Sequence, residues 1–250
     1  MRKWQYSLGI IGDGMGEMTS ETQRSVRDEM LHAAVGLLDE HGPDALQTRR
    51  VAGEAGTSTM AVYTHFGGMR ALIAAVAEEG LRQFDAALTV PLTDDPVADL
   101  FVIGAAYRRY AIARPHMYRL MFGSTSAHGI NAPAQNVLTQ TVAQIEQRYP
   151  SFAHVVRVVH RSMLAARIST GSAADSENGQ AASDQKVVAV GAQFWALIHG
   201  FVMLELAGFY GDDGAAVEPV LAAMTSKLLV ALGDSPERVT QSLQAASGAG

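Results

Sequence analysis

The 250-residue chain contains no cysteine. Disulfide staples and thiol chemistry are therefore excluded, and the absence fits a reducing cytoplasm. No apolar run approaches the roughly 20 residues that span a bilayer, so no transmembrane helix is expected. Period-two strand patterns and internal repeats are missing as well. There is no H-E-x-x-H, no G-x-S-x-G and no P-loop. The 8 histidines are scattered, and His154 and His160 stand six apart, not at the i, i+4 spacing of a helical metal pair. Positive charge is short: 19 Lys and Arg face 25 Asp and Glu, for a net charge of −6, unlike a general nucleic-acid binder.

Near the start, Leu8-Gly9-Ile10-Ile11-Gly12-Asp13-Gly14-Met15-Gly16 imitates a dinucleotide-binding turn. Its spacing is G-x-G-x-G rather than G-x-G-x-x-G, and no apolar-periodic helix follows at once, so no cofactor is assigned. Residues 1–20 read as a disordered or extraneous segment.

The chain has 48% hydrophobic residues, enough for a real core. Apolar residues recur at helical spacing almost throughout, which predicts an all-α protein. Val26, Met30, Ala33, Ala34, Leu37 and Leu38 predict a helix over 22–41, closed by Gly42-Pro43. Another is predicted over 69–89. The breaker cluster PLTDDP at 91–96 separates a first domain, 21–90, from a second, 96–233. In the second, helices are predicted over 97–114, 115–122, 133–149, 152–168, 184–210 and 215–232. Loops are expected at 123–130 and 171–183, and a flexible tail over 234–250.

The chain is organised around residues 48–66, TRRVAGEAGTSTMAVYTHF. Val51, Ala52 and Ala55 stand at helical spacing, with Thr48 as N-cap. Gly56 supplies the positive φ that a sharp stop needs. Thr57 or Ser58 then caps a second helix, with Ala61 or Val62 and Phe66 turned inward. Thr59, Met60, Tyr63 and Thr64 face outward. A helix, a Gly corner and a second helix form the helix-turn-helix that places its second helix in the major groove. Locally the charge reverses, because Arg49, Arg50 and Arg70 face only Glu54 between residues 47 and 70. Binding to phosphates should therefore depend strongly on salt.

This segment resembles the DNA-binding domain of the tetracycline-repressor (TetR) family, from about Arg27 to Val76. The matching residues run through Asp39-Glu40-His41-Gly42, Ala45-Leu46-Gln47-Thr48 and Val51-Ala52-Gly53-Glu54-Ala55-Gly56-Thr57-Ser58. They continue through Val62-Tyr63-Thr64-His65-Phe66 and Arg70-Ala71-Leu72-Ile73. The resemblance implies that Thr48, Tyr63 and His65 touch phosphates and that Thr59 and Met60 face bases. Arg49, Thr57, Ser58, Thr64 and Arg70 complete the candidate DNA contacts. One position departs: where the family carries a Lys opening its fourth helix, this chain has Met69.

Tyr107-Arg108-Arg109-Tyr110-Ala111, Arg114-Pro115 and Tyr118-Arg119-Leu120-Met121-Phe122, with Trp195-Ala196-Leu197-Ile198-His199-Gly200, look like the TetR regulators with a Trp-His-Gly C-terminal domain. That likeness implies a small-molecule effector cavity. The candidate lining is Tyr107, Tyr110, Met117, Met121, Phe122, Trp195 and His199. Arg108 and Arg109 are expected to face water. The resemblance also implies a homodimer built on the last two long helices, through Gln193, Ala196, Gly200, Met203, Val217, Leu221, Met224 and Leu228. The expected function is a cytoplasmic transcriptional regulator, acting on an operator in double-stranded DNA and released by an effector. Two readings stand beside it: a helical binding module whose helix-turn-helix is only a scaffold, and a small helical enzyme with a site around His160 and His199.

Overall fold

In the computed structural model, residues 25–123, 136–169 and 179–248 are described. The expectations for residues 1–20, and for most of the loops at 123–130 and 171–183, lie outside that range. The described residues form eleven α-helices.

The first four make one body: α1 (Val26–His41), α2 (Thr48–Glu54), α3 (Thr59–Phe66) and α4 (Met69–Leu88). Ser25 caps α1, its Oγ accepting the Asp28 N–H at 3.2 Å, and Asp28 and Glu29 occupy the first turn, where the helix dipole favours acid. Met30, Leu38, Val51, Val62, Leu72 and Val76, drawn from all four helices, are fully buried in a shared core. That core is what holds a helix as short as α3, which is marginal alone in water. α4 leaves α3 at a bend of 68° and carries on into the rest of the molecule.

The axis of the second body is α5 (Pro96–Ala113). Around it pack α4, α6 (Pro115–Phe122), α8 (Pro150–Leu164), α9 (Gly179–Leu206) and α11 (Pro236–Ser247), with α7 (Val142–Arg148) and α10 (Ala223–Ala231) outside. A proline opens α5, α6, α8 and α11, at the position where its missing N–H is not needed and its φ is already helical. The segment Ser183–Leu206 is long and apolar enough to cross a membrane, with mean hydropathy 1.9. Here it packs against α5 and α8, with Val188 and Val202 fully buried.

Several boundaries differ from the sequence reading. The helix expected over 133–149 is, within the described residues, a 3₁₀ turn at Val137–Thr139 followed by α7. Thr141 forms a capping box with Gln144, so the backbone restarts there instead of running through. The helix expected from 184 starts at Gly179, inside the predicted loop, and stops at Leu206 rather than 210. The last predicted helix opens with a π-helical stretch, Val217–Ala222, before α10.

The largest correction concerns the end of the chain. The tail expected to be flexible after residue 233 contains α11. Ser235 caps it, accepting the Arg238 N–H at 3.2 Å, and Pro236 and Glu237 fill the first turn. Val239 and Ser242 are buried, and α11 lies along α5. Its small side chains permit close approach, although their composition looks like that of a frayed end.

Candidate nucleic-acid interface and ligand chamber

α2 and α3 meet through Val51, Ala52 and Val62, all buried. Gly56 turns between them at φ +63, as the corner requires. The sequence reading puts the caps at Thr48 and at Thr57 or Ser58. Gln47 is instead the N-cap of α2, and Ser58 is the N-cap of α3 without a side-chain cap bond. The Ser58 hydroxyl and the first amides of α3 are thus exposed, with no side-chain cap bond among the described residues.

The outward face of α3 is open. Met60 is 67% exposed and Tyr63 56%, and Thr59, Thr64 and His65 are exposed as well. Thr64 Oγ1 donates to the Met60 carbonyl at 3.1 Å, which leaves its lone pairs as acceptors. Arg49, Arg50 and Arg70 are exposed beside this face, while Thr48 and Thr57 are half-buried at its edge. Met69 packs against the core instead of standing free where a lysine would reach outward. The Arg27 guanidinium sits 4.9 Å over the Phe66 ring and fastens α1 to the end of α3.

The seven residues expected to line a pocket are indeed brought together, around Phe84 of α4. The Phe84 ring lies 4.9 Å from that of Tyr107, 5.1 Å from Tyr110, 5.6 Å from Phe122 and 6.1 Å from Trp195. Tyr118 Oη is 2.8 Å from both Tyr107 Oη and His199 Nδ1. Burial pushes the Tyr107 hydroxyl well above its ordinary value and raises Tyr118 too, while it lowers His199. Burial thus favours the neutral imidazole, and the stability linked to it is present above the unfolded histidine value of about 6.5 and is lost as pH falls through the lower folded one. Met117 and Met121 are wholly buried against Gly80, where an added Cβ would collide with both sulfurs.

The open space lies next door. A cavity of about 580 Å³ is walled mainly by α5, α9, α11 and the π-helical stretch, with Val155 of α8 and Thr225 of α10, and of the seven expected residues only Tyr107 lines it. Val217 and Leu221, expected at a dimer surface, line this cavity. Gln193, Ala196 and Gly200 are exposed along one stripe of α9, Met224 is 47% exposed on α10, and Met203 and Leu228 are half-buried. Arg108, expected to face water, pairs in bidentate fashion with the buried Glu205, Nε–Oε2 at 2.9 Å and Nη2–Oε1 at 2.6 Å. Sequence reasoning missed Phe84 as the centre of the aromatic cluster, and Tyr118 as a link in its hydroxyl chain. It also missed the cavity wall, because a wall drawn from six separate elements has no local pattern.

The two bodies are tied at several points. Arg114 forms an ion pair with Asp39, Tyr110 Oη donates to the Gly80 carbonyl at 3.0 Å, and His154 Nε2 lies 2.9 Å from Asp85 Oδ1. Burial pushes the Tyr110 hydroxyl up to about 12, so it stays a donor at any physiological pH.

Residues 100–228 match the family described as "Tetracyclin repressor-like, C-terminal domain", and residues 30–76 match "Bacterial regulatory proteins, tetR family". Over 77 residues the sequence is 40% identical to the class A tetracycline repressor protein from transposon 1721 of Escherichia coli. That stretch covers 31% of this chain and 35% of the repressor, so the match spans about a third of the curated relative. Among solved structures, a protein of unknown function from Rhodococcus sp. RHA1 is similar with a TM-score of 0.60 and 26% identity, over 86% of this chain and all of that one. RolR in complex with the ligand resorcinol shares the fold, with a TM-score of 0.57 and 14% identity over 87% of this chain and 92% of RolR.

Proposed function

The chain belongs to the tetracycline-repressor family, and from that premise we propose that it is a homodimeric, ligand-responsive transcriptional regulator of the bacterial cytoplasm. In this reading it represses by occupying a roughly palindromic operator. One observation carries the reading: α3 presents Thr59, Met60, Tyr63 and His65 to solvent while Val62 alone among its residues is fully buried. A core helix would hide its aromatic and methionine side chains. This one exposes Met60 and Tyr63 beside Arg49, Arg50 and Arg70, as a helix seated in a major groove must.

Roles follow from chemistry. Tyr63, His65, Thr48 and the free Ser58 hydroxyl suit phosphate oxygens, which set register without reading sequence. Thr59 and Met60 open the helix and suit base edges, the thioether meeting thymine methyls. The exposed stripe of α9 and Met224 of α10 supply the two-fold contact. An effector bound in the second body acts by favouring the conformer in which the two reading helices no longer match grooves about 34 Å apart. No catalytic step is assigned; His199 is engaged by two tyrosines and His160 is not among its partners.

The test is a mobility-shift titration on DNA flanking the chain's own coding region, repeated across salt. Tyr63→Phe should weaken binding to all sequences alike, whereas Met60→Ala should change sequence preference more than non-specific affinity. Absence of any salt-dependent DNA binding would favour the helical binding module instead. Met69→Lys should add one phosphate contact per half-site and steepen the salt slope by about 0.9 for each. An unchanged slope would mean that Arg70 already serves.

A further inference from the structure

The cavity beside α5 is not a neutral hole. Its walls are apolar, with Leu100, Ile103, Phe194, Ile198, Leu221 and Leu243 among them. Most of the polar groups on those walls are already engaged. The Tyr107 hydroxyl bonds Tyr118, and the Arg108 guanidinium is held by Glu205. Thr225 Oγ1 donates to the Leu221 carbonyl at 2.8 Å, and Ser247 Oγ to the Leu243 carbonyl at 2.9 Å. Arg109 is the exception. It lines the same cavity, is exposed, and has no hydrogen-bond or ion-pair partner among the described residues. A single unpaired cation at the rim of an apolar chamber selects for one shape of molecule: an apolar body with one anionic end.

We propose that this cavity, bounded by α5, α9, α11 and the π-helical stretch Val217–Ala222, binds an amphipathic monocarboxylate, its apolar chain inside and its carboxylate on Arg109. The volume of about 580 Å³ lies in the range of small-molecule sites, about 300–1,000 Å³. The carboxylate accepts charge-assisted hydrogen bonds from the guanidinium, the geometry for which arginine is suited. Gly104 lies on the floor, and a Cβ built there meets nothing within 4 Å. The floor is therefore open along its helix, where a side chain would otherwise occupy the chamber. This site rests on the reading of the second body as the effector domain, which it makes specific.

The probes are decanoate, decanol and decylamine at submicellar concentration, titrated calorimetrically into the full-length protein. Decanoate is expected to bind once per chain, more tightly than the alcohol and far more tightly than the amine. Shortening it to octanoate should weaken binding about fourfold per methylene, the equivalent of ~0.8 kcal/mol each. Arg109→Gln should weaken decanoate roughly fivefold and leave decanol unmoved. Gly104→Leu should abolish binding of both while the unfolding transition stays in place, since the leucine occupies the chamber and favours the helix. Equal affinity for acid and amine, or decanoate binding that survives Gly104→Leu, overturns the proposal. Salt-dependent DNA binding without ligand is measured in parallel. If DNA binding is intact and decanoate does not bind, the site fails alone. If decanoate binds as described and DNA does not, the site stands and the regulatory reading fails.

Discussion

Arg167→Ala is expected to destabilise the protein by about 3–5 kcal/mol in urea unfolding, the cost of stranding a buried carboxylate. Arg167 is buried in the turn after α8. Its Nε donates to Asp234 at 3.0 and 3.1 Å, its Nη1 to Asp95 at 2.8 Å and its Nη2 to Ser242 at 3.0 Å. The Asp234 side chain is wholly inaccessible to solvent, and its other ion pair, to Arg238, is stretched to 3.8 Å. Removing the guanidinium therefore leaves a charge with a poor substitute. If the stranded charge is the main cost, Arg167→Ala/Asp234→Asn should be more stable than Arg167→Ala alone. A double variant no better than the single would mean that the lost packing of α11 dominates.

The same knot sets an acid limit. Burial acts to raise the Asp95 carboxyl, but the Ser242 hydroxyl, the amides of Ala98 and Val97, and Arg167 outweigh it and hold it below its usual value. A carboxyl depressed by folding contributes stability that is present above the unfolded value, about 3.9, and is lost as pH falls through the folded one. The grip of α11 on the start of α5 should accordingly loosen only in strong acid.

Phe84→Ala should cost about 3–5 kcal/mol, the usual range for emptying a fully buried aromatic position. Phe84 is wholly buried and packs against four aromatic rings from three other helices. It sits on α4, the helix shared by both bodies, so the variant should also uncouple them. An effector that binds Phe84→Ala should no longer release DNA. Chemical denaturation and mobility shifts with and without effector measure the two effects separately. A loss below about 1 kcal/mol would mean that the cluster collapses to refill the gap.

The helix-turn-helix was legible in the sequence because everything that makes it is local. Gly56 breaks the chain, Val51 and Val62 fall at helical spacing, and no distant residue is needed to see which face is polar. The boundaries at α5, α6 and α8 were legible for the same reason, since a proline marks each. The missed α11 had its own signal in Ser235-Pro236-Glu237, a cap and first turn, with Val239, Ser242, Leu243 and Ala246 recurring on one face. Small residues around that stripe concealed it. The chamber was illegible for a different reason. Trp195, His199 and Tyr107 announce themselves as large and polar-tipped, and they form the aromatic cluster. The empty space is defined by what does not reach into it, and Gly104 or Thr225 carries no mark of that.

In the proposed regulator, the close packing at Gly80 would make α4 a fulcrum. There α6 rests directly on the backbone, with no room for a methyl group between them. Met69, where the reading head begins, lies eleven residues away, an arm of about 16 Å at 1.5 Å per residue. Each degree of rocking about that point would move the head by about 0.3 Å, so in the proposed dimer ten degrees in each protomer would change the span of the pair by up to about 6 Å. Against a groove repeat of about 34 Å, that is a sixth of a turn. In the proposed dimer, a rearrangement of under an ångström near that point would be magnified into one that a rigid duplex cannot follow.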